Sequence, residues 1–353
     1  MLVPKKFFVH FPQLYAGSRK TANKFAHVRK FSYLCTKFRT MNDNWHWQDY
    51  GHAWRGVGIY HMVLVAPNRA PLFGSLNLPS DDPLEATIDR TDFGNAIVDE
   101  LLHIYTHYPQ IRILQFCLMP NHLHAIIHVT APLPVGIIKV ARGYLQGVKR
   151  LERDLLPDLA ADTSRQWDKP FLRPMSTHNQ LQSMIRYIQM NPARLATKRL
   201  KPGYFCVQHN VEINGRMYDA VGNIFILSEE HRSPVHVRHD LVNLAKAGND
   251  QPLRDYMNGC VKAAREGTVM VSPYISEYEK DVLNVLLKEK RNIILLADNG
   301  FGKFFKPSDA LFDAVAEGRL LILSPFPYDP DKRDITRPEC VALNGFAEEI
   351  CSK

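Results

Sequence analysis

The side chains best suited to chemistry lie in two short segments. The first contains His122-Leu123-His124, in which a single apolar residue separates two histidines. In a strand, such residues point to the same side, with Cα atoms about 6.5–7 Å apart, so two imidazoles can converge on one divalent ion. The spacing alone favours a packed or surface pair of histidines over a metal site, because this spacing occurs often by chance. It therefore predicts a possible ligand pair and does not establish a metal.

The second segment, MIRYIQMNPAR, places Tyr187 four residues before Asn191, so a helix would present both on one face. A phenol with a pKa near 10 is a poor nucleophile at neutral pH and needs a base or cationic surroundings to attack phosphate. A divalent ion on His122, His124 and Asn191 would polarise that phosphate while Tyr187 attacks. The alternative is a packed tyrosine and an asparagine that ends its helix before Pro192.

The elements that position these residues follow from hydrophobic periodicity. GVGIYHMVLVA predicts a buried strand, residues 93–108 a helix, and IRILQFCLMPNHLHAIIHV two strands joined by a sharp turn. Alternation places His122, His124, Ile126 and His128 on one face of the second of these strands. Helices are predicted at about 135–155 and about 179–190, the latter halted at or shortly after Asn191-Pro192. This order indicates an α+β fold with an antiparallel sheet.

The chain changes character after about residue 225. The apolar segments TVMVSPYI, NIILLAD and LLILSPF alternate with the helical patterns YEKDVLNVLLKEKR and SDALFDAVAEGR. Such alternation is typical of a parallel α/β unit, in which ligands bind at the carboxyl ends of the strands. We therefore expect two domains, at residues 41–225 and 226–353.

Composition excludes several classes of protein. With 353 residues, 45% hydrophobic and 23% charged, the chain is neither disordered nor collagen-like. No uninterrupted apolar run reaches the roughly 18 residues that a membrane-spanning helix needs. The six cysteines lie far apart and outside CxxC spacing, which favours reduced thiols in the cytoplasm.

Positive charge is concentrated in two stretches. Residues 1–40 hold nine Lys and Arg and no Asp or Glu, which suits a nucleic-acid arm, a transit peptide or a start site placed too early. We favour the last, because Met41 opens the MNDNWHW segment. Residues 139–201 carry 13 Lys and Arg against five Asp and Glu, which suits a phosphate backbone or a solvated helix face.

FCLMPNHLHAIIHV resembles the metal-binding strand pair of the single-tyrosine HUH transposases, specifically the CxMPNHxH element of the REP-associated tyrosine transposase group. IRYIQMNPARL resembles that group's catalytic-tyrosine helix, YIxxNPxR. The segment from Trp167 to Phe171 resembles its W…F element, and IYHMVLVAPNRAPLFG resembles its first strand and loop. The resemblance spans about residues 56–205.

The resemblance implies a ferredoxin-like HUH domain that cleaves and rejoins single-stranded or hairpin DNA and commonly dimerises. His122, His124 and Asn191 would hold Mg²⁺ or Mn²⁺, and Tyr187 would form a covalent 5′-phosphotyrosine, with cis or trans assembly left open. His128 shares the histidine face without an expected metal contact. Six basic side chains are expected to contact phosphate: Arg142, Lys149, Arg150, Arg153, Arg186 and Arg194.

The C-terminal part departs from that group, whose members often end soon after the tyrosine helix. VSPYISEYEKDVL and NIILLADNGFGKFF weakly resemble the Rossmann-like domain of DNA-processing protein A. DNGFGK has neither phosphate-loop nor GxGxxG spacing, so an accessory domain for dimerisation or DNA placement is the other interpretation. The alternative functions are a non-catalytic DNA- or RNA-binding module whose C-terminal domain senses a ligand, and a metal-dependent hydrolase that uses water.

Overall fold

Residues 57–175, 177–303 and 305–352 are described in a computed structural model of the chain. The basic leader expected at residues 1–40 lies outside these ranges. The first part of the chain contains these elements: β1 (Gly58–Val65), β2 (Gly74–Asn77), β3 (Thr87–Arg90), α1 (Asp92–Leu102), α2 (Ile104–His107), β4 (Ile111–Met119), β5 (His122–Val129), α3 (Ile137–Leu155), α4 (Pro157–Ala160), β6 (Phe171–Pro174), α5 (His178–Gln189), α6 (Asn191–Leu200) and α7 (Pro202–Phe205).

The first sheet has the strand order β4-β5-β1-β6, and every neighbouring pair is antiparallel. Helix α1 connects β1 to β4, a tight turn connects β4 to β5, and α3 connects β5 to β6, which gives a β-α-β-β-α-β order. Strands β2 and β3 form a separate two-stranded hairpin between β1 and α1. The predicted α+β class with an antiparallel sheet is confirmed.

The two faces of this sheet have different partners, because side chains alternate along each strand. Tyr60 and Met62 of β1 pack with Leu123 and Ala125 of β5 against α1 and α3. Ile59 and Ile126 lie on the other face, under residues of α5. The helix that carries Tyr187 therefore covers the face on which the histidines were predicted.

The helix predicted at residues 93–108 is divided in two. Helix α1 ends at Leu102, and a separate turn, α2, follows. The ring Nδ1 of His103 donates to the carbonyl oxygen of Asp99 at 2.7 Å, and the backbone N–H of His103 reaches the same carbonyl. This local hydrogen bonding ends the first helix at His103.

The helix predicted at about 179–190 is confirmed, and a second helix follows it almost directly. Helix α5 begins after Thr177, whose hydroxyl accepts from the N–H of Gln180, and it ends at Gln189. Asn191 does not end the helical structure but is the first residue of α6, where Pro192 is tolerated because a first-turn N–H has no intrahelical partner. Tyr187 and Asn191 thus belong to two successive helices.

The second part of the chain is built around a mixed sheet. Its elements are β7 (Gln208–Ile213), β8 (Arg216–Gly222), β9 (Arg232–Pro234), α8 (His239–Lys246), α9 (Gln251–Arg265), β10 (Val269–Ser272), α10 (Glu277–Lys288), β11 (Ile293–Leu296), α11 (Asp309–Ala316), β12 (Leu320–Ser324) and α12 (Arg337–Cys351). The strand order is β7-β8-β12-β11-β10-β9.

Strands β9 to β12 are parallel, as the strand-helix alternation predicts for β10, β11 and β12, and β8 pairs antiparallel with β12. Helices α9, α10 and α11 cover one face, and α12 covers the other. Strands β7 and β8 precede residue 225 but belong to this sheet, where they cover the edge of β12. The predicted domain boundary at residue 225 therefore does not coincide with the start of the second sheet.

None of the helices in the described ranges is both long and apolar enough to cross a membrane.

Candidate active site

The histidine face predicted for β5 is formed by the register of three strands. His124 lies opposite Val63 of β1 and Cys117 of β4, and His122 lies opposite Val65 and Met119. The rings of His122 and His124 are 4.9 Å apart between centroids and nearly perpendicular. The strand thus brings the two predicted ligands together on a central strand of the sheet.

A third histidine, His61 of β1, joins this pair and was not identified from the sequence. Its Nε2 lies 3.0 Å from Nδ1 of His124, and the two rings stack with centroids 5.2 Å apart. One of the two nitrogens carries the shared proton. The available signal was the period of β1, which puts His61 on the same face as Val63 and Val65.

A hydrogen bond also orients His122. Its Nδ1 lies 2.7 Å from Oδ1 of Asn121, whose Nδ2 donates to the carbonyl oxygen of Arg69 at 3.1 Å. Because Oδ1 can only accept, the N–H of neutral His122 is on Nδ1 and its Nε2 keeps a free lone pair. This is the arrangement that orients metal-binding histidines in proteins.

All three imidazoles are held in the neutral form. Burial lowers the pKa of His61 and of His122 to about 4, with smaller contributions from Arg173 and from Arg69 and Lys306 respectively. Burial, then the neighbouring histidines and Lys306, lowers the pKa of His124 to about 2. A neutral imidazole is the form that binds a metal ion.

The donor set fits a metal ion in part. His122 offers Nε2, and His124 offers Nε2 when its own Nδ1 carries the proton that it shares with His61. Within the described ranges, no group of three or more His, Cys, Asp or Glu side chains is arranged to hold a metal. Two of the three predicted ligands therefore share a site that exposes lone pairs suited to an ion.

Asn191, the third predicted ligand, follows the tyrosine helix after a single residue, Met190. It is buried at the start of α6, and its Nδ2 has no hydrogen-bond partner among the described residues. No hydrogen bond in the described part of the chain joins it to His122 or His124. Its role as a metal ligand therefore stays a prediction.

Tyr187 lies beside the histidines of its own chain. Its ring meets that of His124 edge to face, with centroids 5.6 Å apart. Burial raises the pKa of Tyr187, and the nearby guanidinium of Arg194 offsets part of that rise. The phenol is therefore protonated at neutral pH and lies among groups that could favour its ionised form.

Two cationic groups lie over the ring of the tyrosine. The guanidinium carbon of Arg194 is 5.4 Å from the Tyr187 ring centroid, and the ammonium of Lys306 is 5.1 Å from it. Arg194 also pairs with Asp309 at 2.8 Å. Lys306 and Asp309 come from the second part of the chain and were not identified from the sequence. No local pattern predicts a contact between residues that lie more than a hundred positions apart, as these do from Tyr187.

A small cavity opens beside Tyr187. Its volume is about 210 Å³, and its lining includes His61, Arg173, Gln180, Ser183, Tyr187 and Asp309. The rest of its lining is apolar, from Pro174, Met175 and Met184, so most of the cavity surface is apolar, with Arg173 and Asp309 as its charged side chains.

The predicted phosphate contacts divide between two sides of the first sheet. Arg194 lies at the tyrosine, and Arg186 is exposed on α5. The remaining four belong to α3, which packs on the face opposite the histidines: Arg142, Lys149, Arg150 and Arg153. His128 lies opposite Ile59 at the far end of β5 from His122, away from the ligand pair.

No family model matches the chain. It is similar to an uncharacterized protein of Haemophilus influenzae, with 32% identity over 76 residues, which are 22% of this chain and 38% of that protein. The chain thus covers less than half the length of this relative.

Two solved structures are also similar in part. One is a REP-associated tyrosine transposase bound to a REP hairpin, with 12% identity, a TM-score of 0.27, and coverage of 42% of this chain and 74% of that one. The other is a Deinococcus radiodurans R1 protein provisionally named a transposase, with 16% identity, a TM-score of 0.26, and coverage of 40% and 96%.

Proposed function

We propose that the chain is a metal-dependent enzyme that cleaves and rejoins single-stranded DNA through a covalent 5′-phosphotyrosine, as a transposase or a domesticated relative. In this proposal the first part is a ferredoxin-like HUH domain and the second a Rossmann-like domain. The observation that carries the proposal is the contact of Tyr187 with His124, at 5.6 Å between ring centroids. It puts a candidate nucleophile next to two oriented, neutral imidazoles.

The reaction would begin when Oη of Tyr187 attacks a backbone phosphorus atom. A bond forms between Oη and phosphorus, the bond from phosphorus to the 3′-oxygen breaks, and the phenolic proton ends on the released 3′-hydroxyl. Since the phosphotyrosine remains an ester, attack by a 3′-hydroxyl reverses the step and rejoins the strand. The contact between Tyr187 and its own chain's histidines supports assembly of the site in cis.

His122 and His124 would hold the metal ion through Nε2. When bound, such an ion supplies Lewis-acid polarisation of the phosphate oxygen. Imidazole ligands suit Mn²⁺ better than Mg²⁺, which prefers oxygen donors, so Mn²⁺ is the proposed ion of the two. In this proposal Nδ1 of His124 donates to His61 and Nδ1 of His122 donates to Asn121, which keeps the two rings in place, and Asn191 is the third proposed ligand. A homodimer, expected from the resemblance, and a cytoplasmic location, expected from the spacing of the cysteines, belong to the same proposal.

The test is a denaturing gel that detects a covalent adduct between the full chain and end-labelled hairpin DNAs, with Mn²⁺ or with EDTA. We expect a Mn²⁺-dependent adduct that is lost in Tyr187→Phe and His122→Ala. His128→Ala is the matched control, because it removes a histidine from the same face of the same strand, and it should retain the adduct.

Two results would contradict the proposal in different ways. DNA cleavage without an adduct would indicate a hydrolase that uses water. Binding without cleavage over a broad pool of hairpins would indicate a binding module, whose second domain would then be tested for a ligand.

A further inference from the structure

The segment that leads into α11 reaches across to the tyrosine. Lys306 lies in this segment, half-buried, with its ammonium 5.1 Å from the ring centroid of Tyr187 and 5.6 Å from that of Phe312. Arg194 of α6 contacts the same two rings, at 5.4 and 5.5 Å. Two cations from different parts of the chain therefore meet at one tyrosine.

The charge at this point is not balanced. Burial first, then the charges of Arg194 and Lys198, lowers the pKa of Lys306 to about 8, and only Asp309 acts in the opposite direction. The three basic side chains of Arg194, Lys198 and Lys306 thus lie near a single carboxylate, that of Asp309, and Lys306 is partly buried. Desolvated charges of one sign repel one another unless an anion offsets them.

The unpartnered donors of Arg194 are a second, independent observation that indicates an anion-binding site. The side chain of Arg194 is 7% exposed, and only one terminal nitrogen is engaged, by Asp309 at 2.8 Å. Its Nε and its other terminal nitrogen have no hydrogen-bond partner in the described part of the chain. Buried donors without partners are costly, and a guanidinium fork matches the oxygens of a phosphate.

We propose that Lys306 is a further catalytic residue, which binds the phosphate that Tyr187 attacks together with Arg194, so that the second part of the chain completes the active site. This inference rests on the proposed function. The negative charge of the phosphate would offset the positive charges of Arg194, Lys198 and Lys306. The phosphate would lie beside these side chains because Tyr187 attacks it there. Lys306 transfers no proton; its ammonium stabilises the negative charge on the non-bridging oxygens while the bond to Oη forms and the bond to the 3′-oxygen breaks.

The test compares adduct formation by the full chain and by Lys306→Met. Loss of one charge-stabilising donor should lower the initial rate by on the order of a hundredfold. Lys306→Arg should recover part of the rate. Lys288→Met is the matched control, because it removes an exposed lysine at the end of α10. Lys288 precedes β11, whereas the segment that carries Lys306 follows it, so the two lysines lie toward opposite ends of that strand. Its rate should equal that of the unmodified chain.

A second measurement separates direct phosphate contact from a structural role. Binding is measured in the Tyr187→Phe background, with and without Lys306→Met, on hairpins that each carry one uncharged methylphosphonate linkage. Lys306→Met should weaken binding of unmodified DNA and reduce its salt slope by about 0.7. It should have no effect on the hairpin in which the methylphosphonate replaces the cleaved phosphate.

Each outcome has a distinct meaning. An unchanged adduct rate in Lys306→Met, beside an unmodified chain that forms the adduct, overturns the role of Lys306 and leaves the proposed function intact. An equal loss of binding on every hairpin of the series overturns the contact with the cleaved phosphate. If the unmodified chain forms no adduct with any hairpin, the proposed function fails, and the catalytic role of Lys306 fails with it.

Discussion

Replacement of His61 by alanine tests whether the third histidine positions the metal-binding pair. His61 is 6% exposed, and its Nε2 lies 3.0 Å from Nδ1 of His124. The substitution removes both this hydrogen bond and the ring that stacks on His124. Nδ1 of His124 then lies buried without that partner, and the ring can rotate away from the orientation that presents Nε2.

His61→Ala should change both the affinity for Mn²⁺ and the free energy of unfolding. Loss of a hydrogen bond that orients a metal-binding histidine typically weakens metal affinity by about 10- to 100-fold, or about 1.4–2.8 kcal/mol. A buried polar atom left without its partner costs about 1–3 kcal/mol of folding free energy in addition to the lost packing. We therefore expect weaker Mn²⁺ binding together with a lower unfolding temperature.

The assay is a calorimetric Mn²⁺ titration of the full chain and of His61→Ala, with His128→Ala as the control for loss of a histidine from the same face. An unchanged Mn²⁺ affinity in His61→Ala would refute the positioning role and leave His61 as a packed core residue. Complete loss of binding, as in His122→Ala, would refute it in the other direction, because His61 would then be a ligand itself.

Three further predictions concern charge and packing. Because burial lowers the pKa of His61 and His122 from 6.5 to about 4, the unfolded chain binds more protons than the folded chain between these values. Urea unfolding of the metal-free chain should therefore show stability decreasing as the pH is lowered through this window, by at most about 2 kcal/mol per histidine near pH 5, and a flat profile would contradict this. Asp309→Asn should change the free energy of unfolding by less than about 1 kcal/mol, since the Asp309 side chain is 64% exposed. The same substitution should tighten the binding of hairpin DNA, because it removes the carboxylate that competes with the DNA phosphate for Arg194. Weaker binding in a gel-shift titration would refute this. Gly94→Ala should destabilise by about 1–3 kcal/mol because its Cβ would meet the backbone carbonyl of Phe73, whereas Gly143→Ala, whose Cβ meets nothing, should be neutral or stabilising in thermal unfolding.

Local periodicity predicted the ligand pair because one strand holds both histidines. The alternation of β5 alone places His122 and His124 on one face, and the register confirms it. The pairing of His61 with His124 depends on how β1 and β5 align, which no local pattern determines. The spacing of Tyr187 and Asn191 predicted one shared helical face, but it could not predict that the helix would be interrupted at Met190 between them.

Charge counts could not say on which side of the sheet a basic residue lies. The excess of Lys and Arg at residues 139–201 combines α3, on one face, with α5, on the other, and with α6, which contacts the hairpin of β2 and β3. Of the residues predicted to contact phosphate, Arg194 is the one placed at the tyrosine, and it is buried. The same count therefore describes two separate basic surfaces.

The position of Lys306 follows from how the chain leaves the tyrosine helices. Only the short α7 segment separates α6 from β7, so the second sheet begins close to the first site. Phe205 of α7 stacks on Phe312 of α11 with ring centroids 4.6 Å apart, and the ammonium of Lys201 donates to the carbonyl oxygen of Ala316 at 2.7 Å. These contacts hold α11, and the segment before it, against the end of the tyrosine-bearing unit. An accessory domain joined by a long linker would leave Lys306 free to move away from Tyr187; here the connection itself keeps the ammonium at the candidate nucleophile.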